Sequence, residues 1–201
     1  MRSENVETHA AADSALWNAF VRRAGLRASC SITKVVNAVK GIPYGRSSEA
    51  TAEGVVREWR GTCSTKHALL SALISTRWPD TRVRLVHRVY EITPTEARCL
   101  HGDMVAQSIP ASGITDVHTY VVLSAPAGSV VVDVTFPGNP WDGVSDMPPA
   151  CGRGFDVEPK SDPWTTKLAL IRQYCDPATR EPFIAALGRA HDPMPGSKEG
   201  V

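Results

Sequence analysis

The sequence predicts an α+β fold: helices first, then an antiparallel sheet, then helices, with one buried helix packed centrally on the sheet. Three observations predict it. Residues 62–76 carry apolar side chains around almost the whole circumference of a helix, the mark of a helix covered on every side. Three runs rich in β-branched residues follow, Arg82–Ile92, Ile114–Leu123 and Val130–Phe136. The chain has 201 residues, 42% of them hydrophobic, which is enough for one sizeable core and too little for two, so residues 1–201 are expected to form a single domain.

The elements follow in order. Residues 13–24 begin with an Asp suited to capping, space Leu16, Phe20 and Val21 as one helical face, and stop at Gly25. A second helix is expected over 31–40, ended by Gly41 and Pro43, and a third over 51–59. The central helix then places Ala68, Leu69, Leu70, Ala72, Leu73 and Ile74 around its surface. Between the first two strands, residues 94–112 are long for a hairpin loop, with a short helix expected near 94–100. Residues 137–163, rich in Pro, Gly and Asp, predict an irregular excursion, followed by closing helices near 164–175 and 178–188 and a frayed tail.

Lys and Arg number 22 against 21 Asp and Glu, a formal charge of +1, so no global field favours nucleic acid or an anionic membrane. No apolar stretch approaches the roughly 20 residues needed to span a bilayer, and the N-terminus lacks a secretory h-region. A cytoplasmic protein with neither nucleic-acid nor membrane partners is the expectation. Five cysteines without a CxxC pair argue against a disulfide framework or a zinc ribbon and predict mostly buried thiols.

Three residues stand out chemically. Cys63 follows Gly61-Thr62 and opens the buried helix, where unpaired N–H groups and the positive end of the dipole favour a thiolate. The same N–H can donate to an oxyanion formed at an attacked carbonyl. The plain alternative is a small residue where helix meets sheet. His118 shares one face of its strand with Ile114, Asp116, Tyr120 and Val122. Asp133 is an acid inside an apolar strand, where an unpaired charge is costly. If Ala125–Gly128 form a four-residue loop, Ser124 faces Ser129, Tyr120 faces Asp133 and Thr135 faces His118. His118 and Asp133 are then diagonal neighbours, starting about 7–8 Å apart and within reach of a hydrogen bond. A Cys–His–Asp set suits nucleophilic catalysis: the imidazole takes the thiol proton and the carboxylate fixes the tautomer.

In this order the residues resemble the transglutaminase-like superfamily, with its Gly-x-Cys at a helix start, strand His-x-aromatic and strand Asp-x-Thr. Here these are Gly61-Thr62-Cys63, His118-Thr119-Tyr120 and Asp133-Val134-Thr135. Together with Ile42-Pro43-Tyr44, the 51–59 helix and the Ala68-Leu69 pattern, the likeness covers about residues 32–137. It implies a papain-like core and a covalent thioester intermediate. Where family members often carry His-Ala-Trp and Asp-Pro-Thr this chain differs, and segments 94–112 and 137–163 have no counterpart in the pattern.

Other residues are candidates for lesser roles. Trp59 or Tyr44 would supply a second oxyanion donor or line an acyl pocket, or simply pack in the core. Thr62 and Tyr120 flank the triad positions, and Trp141 with Asp142 would roof the cleft or form an ordinary surface loop. Asp116 is a rival partner for His118, although its place at the strand start predicts exposure. Arg57, Arg60 and Lys66 would attract an anionic or carrier-bound substrate, or form a solvated face. Cys63 and His67, four apart on one helix, lack further ligands for a metal, so neither metal nor cofactor is expected.

The function expected is cysteine-dependent acyl transfer from a small-molecule, peptide or carrier-bound amide or thioester, to water or an amine. The alternatives are a cysteine peptidase or amidase, and a non-catalytic binding module keeping the fold. Oligomeric state is left open.

Overall fold

Side-chain caps set the early helix starts. In the computed structural model, the described residues are 14–125, 128–146, 150, 152–160 and 162–191. Helix α1 covers residues 14–23. The Ser31 hydroxyl accepts the Lys34 N–H at the start of α2 (Ile32–Lys40), and Thr51 accepts the Gly54 N–H at the start of α3 (Ala52–Glu58). Then come α4 (Cys63–Arg77), β1 (Arg82–Ile92), α5 (Pro94–His101), α6 (Asp103–Ala106), β2 (Ile114–Ala125), β3 (Gly128–Val132), β4 (Gly154–Val157), α7 (Pro163–Tyr174) and α8 (Pro177–Ala190). The architecture is α+β, and the expected order of elements holds. The expected frayed tail beyond His191 lies outside the described residues.

The sheet is antiparallel throughout, in the order β3-β2-β1-β4. The long β1–β2 ladder runs from Arg82↔Ser124 to Ile92↔Ile114, and Ser124 faces Ser129 in the β2–β3 hairpin as the sequence predicts. Two features differ from expectation. Ala125 and Gly128 themselves pair, so the connection is shorter than four residues, with the register unchanged. The third strand also stops at Val132 rather than Phe136, because the next two N–H groups leave the ladder: Asp133 donates to Asp146 Oδ2 at 2.9 Å and Val134 to His67 Nε2 at 3.0 Å. Inside the segment expected to be irregular, β4 pairs with β1 from His87↔Val157 to Tyr90↔Gly154. Four mostly exposed residues on a sheet edge leave no alternation to read.

The main core joins α1–α4 to Val121, Leu123, Val132 and Val134. A second cluster joins α5, α6 and α8 to Tyr44, Tyr90, Ile92 and Ile114, which gives the 94–112 segment its role: it covers the far end of the sheet. Residues 116–121 of β2 are buried without interruption, so helices cover the strand on both faces and alternation does not sort inside from outside. Among the described cysteines, all free thiols, Cys63 and Cys175 are buried, Cys30 is half-buried and Cys99 exposed. No helix among the described residues is long and apolar enough to cross a membrane.

Candidate active site

The site is assembled where α4 begins. Trp59, in the left-handed region at φ 54°, closes α3 by donating its N–H to Val55 O. The chain then forms a parallel bridge between Tyr44 and Gly61: Gly61 N–H donates to Pro43 O and Gly45 N–H to Gly61 O, both at 3.1 Å. A Cβ on Gly61 would lie 2.7 Å from Lys66 Cγ, so glycine is required here by close approach. The Thr62 N–H donates to Thr65 Oγ1 at 2.9 Å, and Cys63 follows as the first helical residue, 9% exposed.

His118 comes from the middle of β2 and Asp133 from the first residue past β3. Their diagonal relation across the hairpin brings His118 Nε2 to 2.5 Å from Asp133 Oδ2, while Asp133 Oδ1 accepts the Thr135 N–H at 2.9 Å. With Nε2 committed to the carboxylate, Nδ1 is the ring nitrogen left for the Cys63 thiol, and each group favours the charged form of the other. The structure thus places Cys63, His118 and Asp133 in one chain of contacts. Asp116, the rival partner, is only 4% exposed, contrary to expectation, because Arg180 Nε on α8 donates to its Oδ1 at 2.6 Å.

Three basic side chains hold this arrangement, of which sequence reasoning passed over Lys167 and gave Lys66 and His67 other roles. Lys167 of α7, 2% exposed, donates its Nζ to Cys63 Sγ at 3.1 Å and to Thr119 Oγ1 at 2.9 Å. Lys66 is fully buried rather than part of a solvated face, and its Nζ donates to the carbonyls of Lys40, Ile42 and Thr135. His67 is also fully buried: its Nε2 accepts the Val134 N–H, which leaves Nδ1–H to donate to Cys63 O at 2.6 Å. That bonding requires the neutral ring, and burial pushes its pKa down to about 4. His67 therefore ties the segment carrying Asp133 to the first turn carrying Cys63.

The electrostatics follow from these contacts. Burial pushes the Cys63 thiol up, but the Lys167 ammonium and the His118 hydrogen bond and charge outweigh it, and the pKa falls to about 6. Burial likewise disfavours a charged His118, yet the Asp133 carboxylate, and after it Cys63, lift it to about 10. Asp133, also opposed by burial, is held well below the usual carboxylate range by His118 first and by its hydrogen bond from Thr135. The contacts therefore favour thiolate and imidazolium together, as a coupled pair. At Cys175 burial, with the Asp116 carboxylate second, outweighs the pull of Arg180 and Lys167 and pushes the thiol up to about 11.

A cleft of about 420 Å³ opens onto Cys63. Tyr44 and Thr62 border it beside the cysteine, the Asp116–Arg180 ion pair lies in it, and α7 and α8 supply an apolar wall that includes Ile171 and Ile184. The remaining candidates sit elsewhere. Trp59 packs in the main core, its ring 6.1 Å from that of Phe20. Tyr120 does not line the cleft; burial and the nearby Asp156 carboxylate of β4 push its hydroxyl up to about 12. Trp141 is no roof: it belongs to the main core, with its N–H on Asn37 Oδ1 and its indole on Val144 O, both at 2.6 Å. Arg57 is exposed and paired with Glu49 and Glu58, away from the cleft.

Lys167 did leave a trace in the sequence, since it falls at helical spacing with Leu170 and Ile171 on the apolar stripe of α7. Among the described residues, no group of three or more His, Cys, Asp or Glu side chains is placed to hold a metal ion. No family model, curated protein or solved structure matches the chain.

Proposed function

We propose that this chain is a cysteine-dependent acyl-transfer enzyme that works through a thioester on Cys63. One observation carries the reading: a thiol with pKa about 6 opens a buried helix at the wall of a cleft, beside an imidazole held 2.5 Å from a buried carboxylate. Structural cysteines are inert, whereas an ion-paired thiolate facing a cavity is a nucleophile.

The steps follow from the contacts. Cys63 Sγ attacks a carbonyl carbon, and the carbonyl electron pair moves onto oxygen, which receives a hydrogen bond from the Cys63 N–H at the helix start. When the oxyanion collapses, the bond to the leaving group breaks and His118 Nδ1–H supplies its proton. Neutral His118 then takes a proton from water or an amine, which attacks the thioester and frees the thiolate. Asp133 keeps the proton of Nε2 in place throughout, so Nδ1 alone cycles.

The resemblance to the transglutaminase-like signature belongs to the same proposal, together with the papain-like core it implies. A cleft of about 420 Å³ with one apolar wall suits a small-molecule or carrier-bound acyl group, or one peptide side chain. The test is intact-mass analysis after incubation with a panel of N-acetylcysteamine thioesters, primary amides and short peptides. The reading expects a single acyl adduct, mapped to Cys63 and lost in Cys63→Ala. No adduct, or adducts spread over the other cysteines, would overturn it.

A further inference from the structure

We propose that Lys167 is a catalytic residue of this site: its ammonium group donates the second hydrogen bond to the oxyanion, alongside the Cys63 N–H. The inference rests on the acyl-transfer reading above and adds a residue to it.

The argument begins with an incomplete oxyanion hole. A helix start offers the Cys63 N–H, and efficient stabilisation of a tetrahedral intermediate uses converging donors. Of the two aromatic residues whose position suggested a second donor, Trp59 packs against the main core, whereas Tyr44 lines the cleft beside Cys63 as a neutral hydroxyl, its ionisation pushed well up by burial. Lys167 also lines the cleft, with its Nζ 3.1 Å from Sγ. The oxyanion is two bonds from Sγ, so a donor that touches the sulfur is within one hydrogen bond of positions that oxygen can occupy.

Charge accounting leads to the same residue. Lys167 is 2% exposed, and the polar atoms its Nζ contacts are Thr119 Oγ1 and the thiolate. Acylation turns the thiolate into a neutral thioester and leaves a buried cation facing the carbonyl oxygen, an arrangement that is costly unless that oxygen carries charge. The cost is relieved in the tetrahedral state, when the electron pair that left sulfur resides on oxygen. As the C–S bond forms, the ammonium follows the charge from sulfur to oxygen. As the leaving group departs with the His118 proton, the pair returns to the carbonyl; Lys167 stays protonated from start to finish. Stabilisation that peaks in the transition state is what accelerates a reaction.

Other titratable and charged groups also act on Cys63 and must be held constant in any test: His118 and Asp116 from β2, Lys66 from α4, Tyr90 from β1, Tyr44 from the segment before α3, and Arg180 from α8. None of them is altered by substitution at Lys167.

The experiment separates two reactions of the same thiolate. Iodoacetamide alkylates sulfur without forming an oxyanion, whereas p-nitrophenyl acetate acylates it through one and needs no proton for its leaving group. Both rates are measured against pH for the wild type, Lys167→Gln, Lys167→Met and Lys167→Arg, with Cys63→Ala as background, and compared on the plateau where Cys63 is fully ionised. The expected result is that Gln and Met variants alkylate within about threefold of wild type on the plateau but acylate about 10- to 100-fold more slowly. Their thiol titration should move to higher pH, and Arg should recover part of both losses. Lys167→Gln keeps most of the length and a donor, so it serves if Met does not fold; thermal melts identify folded variants. Parallel losses in both reactions, or no selective loss of acylation, overturn the role. A wild type that neither probe labels preferentially at Cys63 instead overturns the acyl-transfer reading itself.

Discussion

Replacing Asp133 by Asn tests the hairpin geometry and the proposed chemistry together. The carboxylate uses both oxygens, Oδ2 accepting from His118 Nε2 at 2.5 Å and Oδ1 from the Thr135 N–H at 2.9 Å. An amide has a single acceptor oxygen. If that oxygen stays on Thr135, the NH₂ group faces Nε2, which must then accept, and the remaining proton moves to Nδ1 facing the thiol. A neutral ring in that tautomer cannot take the thiol proton. The imidazolium also loses its leading support, so its titration falls from about 10 towards the ordinary 6.5. At about 1.4 kcal/mol per pKa unit, up to about 3–5 kcal/mol of imidazolium stabilisation is at stake, with Cys63 supplying the smaller share. The expected loss in kcat/KM for an acyl substrate is therefore about 10²- to 10⁴-fold. The high-pH limb of the rate profile, where the imidazolium that donates to the leaving group is lost, should move from about 10 to well below 9. The assay is the pH dependence of turnover for wild type and variant, with circular dichroism to verify folding. A loss below about threefold with an unmoved limb would refute the reasoning.

Substitutions at three further positions probe the supports. His67→Leu leaves the Val134 N–H without its acceptor and is expected to lower stability by about 1–3 kcal/mol in urea denaturation, with a loss of acylation beyond that. His67→Gln, which offers an acceptor, should recover part of it. Gly61→Ala sets a methyl 2.7 Å from Lys66 Cγ and 3.0 Å from Thr65 Oγ1, so a cost of about 1–3 kcal/mol and slower alkylation of Cys63 are expected. Lys66→Met strands the carbonyls of Lys40, Ile42 and Thr135, and a drop of about 2–4 kcal/mol is expected by the same denaturation assay.

Much of the fold was written in local signals. The helical segments 31–40 and 51–59 and the β-branched run Arg82–Ile92 gave boundaries within a residue of those observed. The hairpin register was legible because Ser124 facing Ser129 determines which side chains become diagonal neighbours. What could not be read was tertiary. Lys66, His67 and Lys167 are polar residues whose burial depends on carbonyls, a strand end and a thiol contributed by distant segments. Asp116 looked exposed at its strand start because its cover, Arg180, arrives from the last helix. Trp141 followed the Asp133 strand and so suggested a roof, but its place is set by Asn37 of α2. The strand at Gly154–Val157 is too short and too exposed to carry a pattern of its own.

The central claim is that Cys63 is an ionised nucleophile at neutral pH. The direct measurement is the second-order rate of iodoacetamide labelling at each cysteine, followed by peptide mapping from pH 4.5 to 9.5. The account predicts that Cys63 labelling rises as the thiol ionises, with an apparent pKa of about 6, and is already roughly nine-tenths of its plateau at pH 7. Below that midpoint it should fall about tenfold per pH unit, and at pH 7 Cys63 should outpace the exposed Cys99 despite its burial. A Cys63 that titrates at or above about 8.5, the ordinary thiol value, or reacts no faster than Cys99, would contradict the account.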